Sequence, residues 1–296
     1  MTSAKMMRVS KQIGIIASFI LPAFVLYGVF LMWPVGQAMQ LSLFDWNGSS
    51  PEMEYVGFDN YAKLLGDDIF LKGLNHNFIW LILSLALVVI PTLFLSIMIS
   101  RVKKGKLFFR AGFYLPSVLS LAVIGVLWTK IYDPNSGLIN EFLRNIGLGA
   151  LAHNWLGEPL TVLTALVLVS TWAFYGLYMI LYLAGLQNID YSIYEAADID
   201  GAGPLRKFWY ITLPSLRNTM NIVISMVIIY SFKGFALVWI MTQGGPFYMS
   251  EIVPTYVYKA AFSMNKVGYA TAGSLVLGAI VMSATLLFNY LREKSE

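Results

Sequence analysis

The sequence predicts an all-α membrane protein that crosses a bilayer six times, and three observations carry that prediction. Of 296 residues, 58% are hydrophobic and only 12% charged, about half the charged share of an ordinary soluble domain. Apolar runs long enough for a helix to cross a hydrocarbon core of roughly 30 Å recur along the chain. The basic residues gather in alternate connections. So few charges cannot clothe a water-facing surface, and lipid must cover much of it.

The spans follow in order. Residues 13–33 and 78–100 are uncharged runs of sufficient length. A third span covers 107–128, with Arg110 near one end, where it can snorkel to the interface. A fourth covers 160–186, a fifth 218–240 with Lys233 inside it, and a sixth lies within 267–291. The first run exceeds the 7–15 residues of a signal-peptide core, and no small-residue cleavage site follows it, so it is read as a retained helix. Lys5, Arg8 and Lys11 precede span one. Arg101, Lys103, Lys104, Lys106 and Arg110 lie between spans two and three. Arg206, Lys207 and Arg217 lie between four and five, and Arg292 and Lys294 follow six. That places 13 of the 20 Lys and Arg residues on one side, and the positive-inside rule puts that side and both termini in the cytoplasm.

Two opposite-side loops are long. Residues 34–77 carry Asp45, Glu52, Glu54, Asp59, Asp67 and Asp68 against Lys63 and Lys72, and 129–159 include an amphipathic stretch at 139–148. They either cap the protein and meet a partner or simply connect helices along the membrane surface. The expected organisation is a tail, first helix and loop over 1–76, a five-helix transmembrane domain over 77–291, and a tail over 292–296.

Several chemistries are excluded or unsupported. The chain has no cysteine, which removes disulfides and thiolate chemistry. Gly105-Lys106 lacks the upstream glycine and the following Ser or Thr of a phosphate loop. His76 and His153 stand in separate loops without a ligand set. No catalytic triad or carboxylate pair stands out. The chain is read as no enzyme, with no cofactor of its own. Its basic loops suit anionic headgroups, not nucleic acid.

The connection between spans four and five is different. Ser192 and Glu195 have capping-box spacing, Ala196 and Ala197 favour helix, Gly201 can end it in a left-handed turn, and Pro204 suits the first turn of a following helix. A short helix over 192–200 is expected. Its small side chains would let it sit deep in a groove on another protein, with Glu195 and Asp198 available to basic groups there. On these residues alone an ordinary helical connection with a routine cap is the preferred reading.

Glu195-Ala196-Ala197, Asp200-Gly201-Ala202, then Phe208, Ile211, Leu213 and Pro214 resemble the EAA loop of ABC importer permeases, about ten positions in register. Arg217 is followed by Asn218 where the family often has proline. Tyr55-Val56-Gly57-Phe58-Asp59-Asn60-Tyr61, and Ser231-Phe232-Lys233 with Thr242-Gln243-Gly244-Gly245-Pro246, resemble segments of the carbohydrate-uptake (maltose and sn-glycerol-3-phosphate-like) branch. Many members of that branch have aspartate at the position of Ala236. The resemblance implies a type I importer transmembrane domain in a bacterial or archaeal plasma membrane. It implies a second related permease, two ATPase subunits that hold ATP and Mg, and an extracytoplasmic solute-binding protein. The substrate would be a sugar, oligosaccharide, polyol or glycerol phosphate. Glu195, Ala196, Ala197, Asp198, Asp200 and Gly201 would then belong to a coupling helix. An ATPase-independent secondary transporter is the alternative, although Lys233 alone interrupts the membrane core.

For the translocation path, Trp172, Tyr175 and Tyr182 fall within about an 80° arc at 100° per residue, with Tyr178 just beyond. They either stack on sugar rings or pack between helices. Lys233 is either a substrate or gate contact, or a structural ion pair, or a cation snorkelling toward the external interface. Gly244-Gly245-Pro246 is read first as a breaker that ends span five in a tight turn, and second as a contact for the binding protein.

Overall fold

A computed structural model describes residues 18–294. Lys5, Arg8, Lys11 and residues 13–17 of the predicted first span lie outside them. The helices in chain order are α1 (Ser18–Leu41), α2 (Asp59–Leu65), α3 (Asp68–Arg101), α4 (Lys106–Val118), α5 (Leu121–Ile131), α6 (Leu138–Asn145) and α7 (Val162–Gln187). Then come α8 (Tyr191–Ile199), α9 (Pro204–Ser215), α10 (Arg217–Ser231), α11 (Phe235–Met241), α12 (Val253–Phe262) and α13 (Val267–Glu293). The described residues also contain one hairpin, β1 (Phe44–Asp45) and β2 (Glu54–Tyr55), with Phe44 opposite Tyr55. The chain divides into two compact units, residues 1–64 with 260–275, and residues 65–259 with 276–296.

In the first unit, α1 is long and apolar enough to cross a membrane, and none of its apolar window is buried. Such a surface requires lipid or another subunit around it. The hairpin is held by Asn60, whose buried amide donates to the Ser42 and Phe44 carbonyls, both at 2.9 Å. The Gly268 N–H donates to the Trp46 carbonyl at 3.2 Å. A Cβ on Gly268 would collide with the Phe44 carbonyl, so only glycine allows the hairpin this close to the first turn of α13.

In the second unit, α3 starts well before the predicted 78 and runs 34 residues, about 51 Å. Asp67 caps it, accepting from the Ile69 and Phe70 amides at 2.9 and 3.0 Å. Pro91 lies just after a π-turn at Leu85–Val89. Proline offers no N–H and crowds the preceding turn, which the wider turn accommodates.

The third and fifth spans correct the expectation of continuous helices. Residues 107–128 form α4 and α5 at 97° to one another. Pro116 weakens the end of α4, Leu119 is extended, and Ser120 caps α5 by accepting from the Val123 amide at 3.3 Å. Thirteen residues of α4 reach only about 20 Å, so neither piece crosses alone. Residues 218–240 are interrupted too. The helix α10 ends at Ser231, and the chain turns through 232–234 before α11. Lys233 therefore sits in an exposed break rather than at a helix centre. A second bend, of 66°, separates α9 from α10. Among the described residues four helices are long and apolar enough to span, and up to six if each bent pair counts as one.

The central element is α7. One buried cluster joins its Leu163, Leu166, Val169 and Ala173 to Trp80, Ile124, Leu237 and Ile252, and another joins Tyr178 and Tyr182 to Val88, Leu93, Leu216 and Val223. At Gly176 a Cβ would strike the Phe113 carbonyl and the Tyr114 Cα. Glycine there permits backbone-close packing of α4 on α7, the device that small residues serve between membrane helices. Ser117 Oγ donates to the Ala173 carbonyl at 2.8 Å across the same seam.

Candidate functional site

Two places in the second unit carry the predicted residues. The first is the connection that leaves α7. Helix α8 begins one residue earlier than expected, because Asp190 rather than Ser192 caps it. The Asp190 carboxylate accepts from the Ser192 amide at 2.9 Å. That backbone hydrogen bond, with a further one from the Ser192 side chain, holds the Asp190 carboxyl below the usual carboxylate range. The other end is a Schellman turn. Gly201 has φ +71°, its N–H donates to the Asp198 carbonyl at 3.1 Å, and the Ala202 N–H reaches the Ala197 carbonyl at 2.8 Å. Pro204 opens α9 as expected.

Glu195, Ala196, Asp198, Asp200 and Gly201 are all exposed, and Ala197 is half-buried. Asp198 is not a free acid: it forms an ion pair with Lys207 of α9. The Tyr194 hydroxyl and Thr212 Oγ1 are 2.8 Å apart, and Phe208 stacks on Phe94 of α3, ring centroids 5.7 Å apart. These three contacts tie α8 and α9 to each other and to the helical body. Beside exposed Glu195, Asp200 and Arg206, large apolar side chains are also open: Tyr191, Ile199, Leu205, Trp209 and Tyr210 are exposed, Ile199 at 88%. A cluster of this kind on a monomer marks a site where another protein or a membrane packs.

The second place is the predicted aromatic stripe of α7, which the structure divides. Trp172 and Tyr175 line a cavity of about 710 Å³ with Leu95, Phe109, Phe113, Leu168 and Thr171. Tyr178 and Tyr182 belong to the buried cluster against α3 and α10. Tyr178 borders only a narrow crevice, with Ser84, Ser170, Tyr230 and Ser231. Lys233 lines neither. Trp172 and Tyr175 thus meet the open space, Tyr178 and Tyr182 pack between helices, and Lys233 stands apart.

Sequence reasoning missed a third feature, the loop at 242–252. Ser250, Glu251 and Ile252 are fully buried. Glu251 pairs with Lys259 of α12, and its carbonyl lies 2.7 Å from His76 Nδ1. Asn77 accepts from the Val253 amide at 3.0 Å and donates to the Ser231 carbonyl at 3.3 Å. The signal available was Glu251 itself, an acid isolated in an otherwise neutral segment.

No group of three or more His, Cys, Asp or Glu residues among the described residues is placed to hold a metal.

Comparison with known proteins gives the family. Residues 9–295 match the family described as the binding-protein-dependent transport system inner membrane component. A probable ABC transporter permease, YurN of Bacillus subtilis, is 35% identical over 91% of this chain and 92% of its own length. A diacetylchitobiose uptake system permease, NgcF of Streptomyces coelicolor, is 33% identical over 89% of this chain and 78% of its own. A crystal structure of a bacterial ABC transporter involved in importing the acidic polysaccharide alginate has a chain that superposes with a TM-score of 0.85. That chain is 22% identical, and the match covers 98% of this chain and 99% of that one. The chain therefore has a known membrane fold and belongs to the inner membrane permease family of binding-protein-dependent ABC transporters.

Proposed function

We propose that this chain is one permease subunit of an ATP-driven importer for a sugar or oligosaccharide. A second, homologous permease completes the membrane pathway, two ATPase subunits supply ATP hydrolysis, and an extracytoplasmic binding protein delivers substrate. ATP and Mg belong to the ATPase. Carbohydrate is the substrate class because the named relatives handle diacetylchitobiose and alginate, and because Trp172 and Tyr175 offer ring-stacking faces to a roomy cavity. The five-helix region at 77–291 is the transporting domain, and the basic face carrying α8 is cytoplasmic by its charge.

The observation that carries the reading is the form of α8. It is closed at both ends, tied to α9 and α3, and bordered by uncovered apolar side chains. That is the build of a short rigid lever seated in another protein. Closure of the ATPase pair moves α8, and α9 with α10 carries the motion to the cavity. The ATPase must bind α8 differently in its two states, since a contact of equal strength in both would shift nothing. Glu195 is the polar anchor, Ala196 and Ala197 permit close seating, Asp198 and Asp200 hold the turn, and Gly201 reverses the chain.

The test is a pull-down of the tagged chain in mild detergent with mass spectrometry, comparing wild type with Glu195→Arg. The expected outcome is recovery of a second permease and an ATPase, with only the ATPase lost from the mutant. A well-folded chain recovered alone would remove the reading.

A further inference from the structure

Arg110 lies one turn into α4, about 6 Å along the axis from Lys106 at its start. Its Nε and Nη2 are buried and have no hydrogen-bond partner among the described residues. Arg110 lines a cavity of about 310 Å³ with Leu107, Ala111, Tyr114, Ile180, Leu183 and Gln187, and no carboxylate lines it. A permanently charged group with unfilled buried donors, beside a mostly apolar cavity, is stabilised by a nearby anion. Two lining residues, Leu183 and Gln187, also border a polar cavity of about 510 Å³ that holds Arg101 and Lys106. Arg101 is exposed, and no acid is paired with it among the described residues. Asp198 is the one acid of that second cavity, and Lys207 already neutralises it.

We propose that this slot binds an anionic phospholipid from the leaflet on the α8 side. The phosphate accepts from Arg110, Arg101 and Lys106 add attraction for net negative charge, and an acyl chain follows Ala111, Tyr114 and Ile180 toward the bilayer centre. Two features favour a lipid over an acidic side chain from a neighbouring subunit. The depth matches the headgroup boundary, because Lys106 and Gln187 are the first and last residues of their helices. The slot also continues past the cation as an apolar wall, which an amphiphile fills and a carboxylate does not need. Basic pockets between membrane helices on a cytoplasmic face commonly hold anionic headgroups. The occupant would brace α4 against the end of α7, directly before α8, and so make the lever's mounting sensitive to lipid.

The test is native mass spectrometry of the chain with its co-purifying subunits, released from micelles containing equal amounts of phosphatidylglycerol and phosphatidylcholine. Wild type is expected to retain phosphatidylglycerol in preference by about fivefold, the scale one cation confers near an anionic surface. Arg110→Gln should bring the ratio close to one, and Arg110→Lys should keep part of the preference. Equal retention by wild type overturns the proposal even if Arg110→Gln does not fold. So does an unchanged preference in Arg110→Gln. Loss of a second permease from Arg110→Gln, with lipid retention intact, would assign the guanidinium to a neighbouring subunit's acid instead.

Discussion

Two connections, the 242–252 loop after α11 and the α8 segment before α9, are built on opposite principles. The 242–252 loop is anchored from inside. Glu251 is fully buried and paired with Lys259, Lys259 Nζ lies 5.5 Å from the Tyr248 ring centroid, and Asn77 ties the loop's end to Ser231. The loop holds Gln243, Phe247 and Tyr248 at φ of 52°, 48° and 59°, backbone that non-glycine residues adopt only when their surroundings enforce it. The α8 connection is held locally. Its carboxylate cap, its Schellman turn and the pair of exposed Asp198 with half-buried Lys207 involve residues within ten positions of one another. Buried charge makes the first loop a fixed point of the fold. Local capping makes the second a preformed part whose outer face stays free for a partner.

The sharpest way to break this contrast is to remove charge from each loop in turn. Glu251→Ala leaves Lys259 without its partner in a mostly buried site, a change expected to cost about 3–5 kcal/mol. Thermal unfolding of the purified chain in mild detergent should register it as a large fall in midpoint, and Glu251→Ala with Lys259→Met should recover much of the loss. Asp198→Ala removes an acid that is 66% exposed, although its partner Lys207 is only 18% exposed, so it should lower the same midpoint by less than Glu251→Ala does. Equal effects would abolish the distinction between an anchored loop and a capped one.

Glycine offers a subtler comparison, since Gly244 and Gly201 share a left-handed φ, +79° and +71°. A Cβ on Gly244 would strike the Glu251 carboxylate, whereas nothing lies within 4 Å of one on Gly201. Both alanine variants bear the backbone strain, about 1–2 kcal/mol. Only Gly244→Ala also displaces the buried pair, so its unfolding midpoint should fall further. At Gly201 the consequence belongs to transport. Gly201→Val should leave the protein folded and uncouple uptake from ATP hydrolysis, and normal uptake by that variant would argue against α8 as the lever.

The same contrast explains what could be read from the residues in advance. The α8 connection was legible because its determinants are consecutive: two alanines, a glycine and a proline fix a helix, a turn and a new start, and only the cap was misassigned, from Asp190 to Ser192. Long apolar runs made α7 and α13 equally plain. The broken spans were not, because apolar composition reports that a segment belongs in lipid and says nothing of its continuity. Pro116, Ser120 and the Lys233-Gly234 break were visible in the sequence, but each is compatible with a kinked helix until its neighbours are placed. The aromatic stripe could not be divided in advance for a related reason. Helical periodicity puts Trp172, Tyr175 and Tyr182 on one side of α7, yet α4 leaves a cavity at one level of that side while α3 and α10 fill the next. Glu251 and Lys259 depended most on the third dimension: eight positions apart, across a loop and a helix start, nothing local pairs them.

The smallest expected effect tests the α8 cap itself. Asp190 has its carboxyl lowered by the hydrogen bond to the Ser192 amide, so folding of this turn favours the ionised form. A depressed carboxyl contributes its full stabilisation above the unfolded-state value, about 3.9, and loses it as the pH falls through the lowered folded-state value. The cap is therefore intact at neutral pH, begins to weaken near pH 4, and is gone well below that. Hydrogen exchange of the first turn of α8, expressed relative to the unstructured rate at each pH, should show protection fading over that window in wild type. Asp190→Asn keeps a capping oxygen but has no proton to gain, so its protection should be nearly independent of pH. Asp190→Ala should be poorly protected throughout. Because the cap is local, none of the three should move the unfolding midpoint as Glu251→Ala does. If the acid-dependent loss spread to α7 or α10, the connection would be integral to the helical body and could not act as a separate lever.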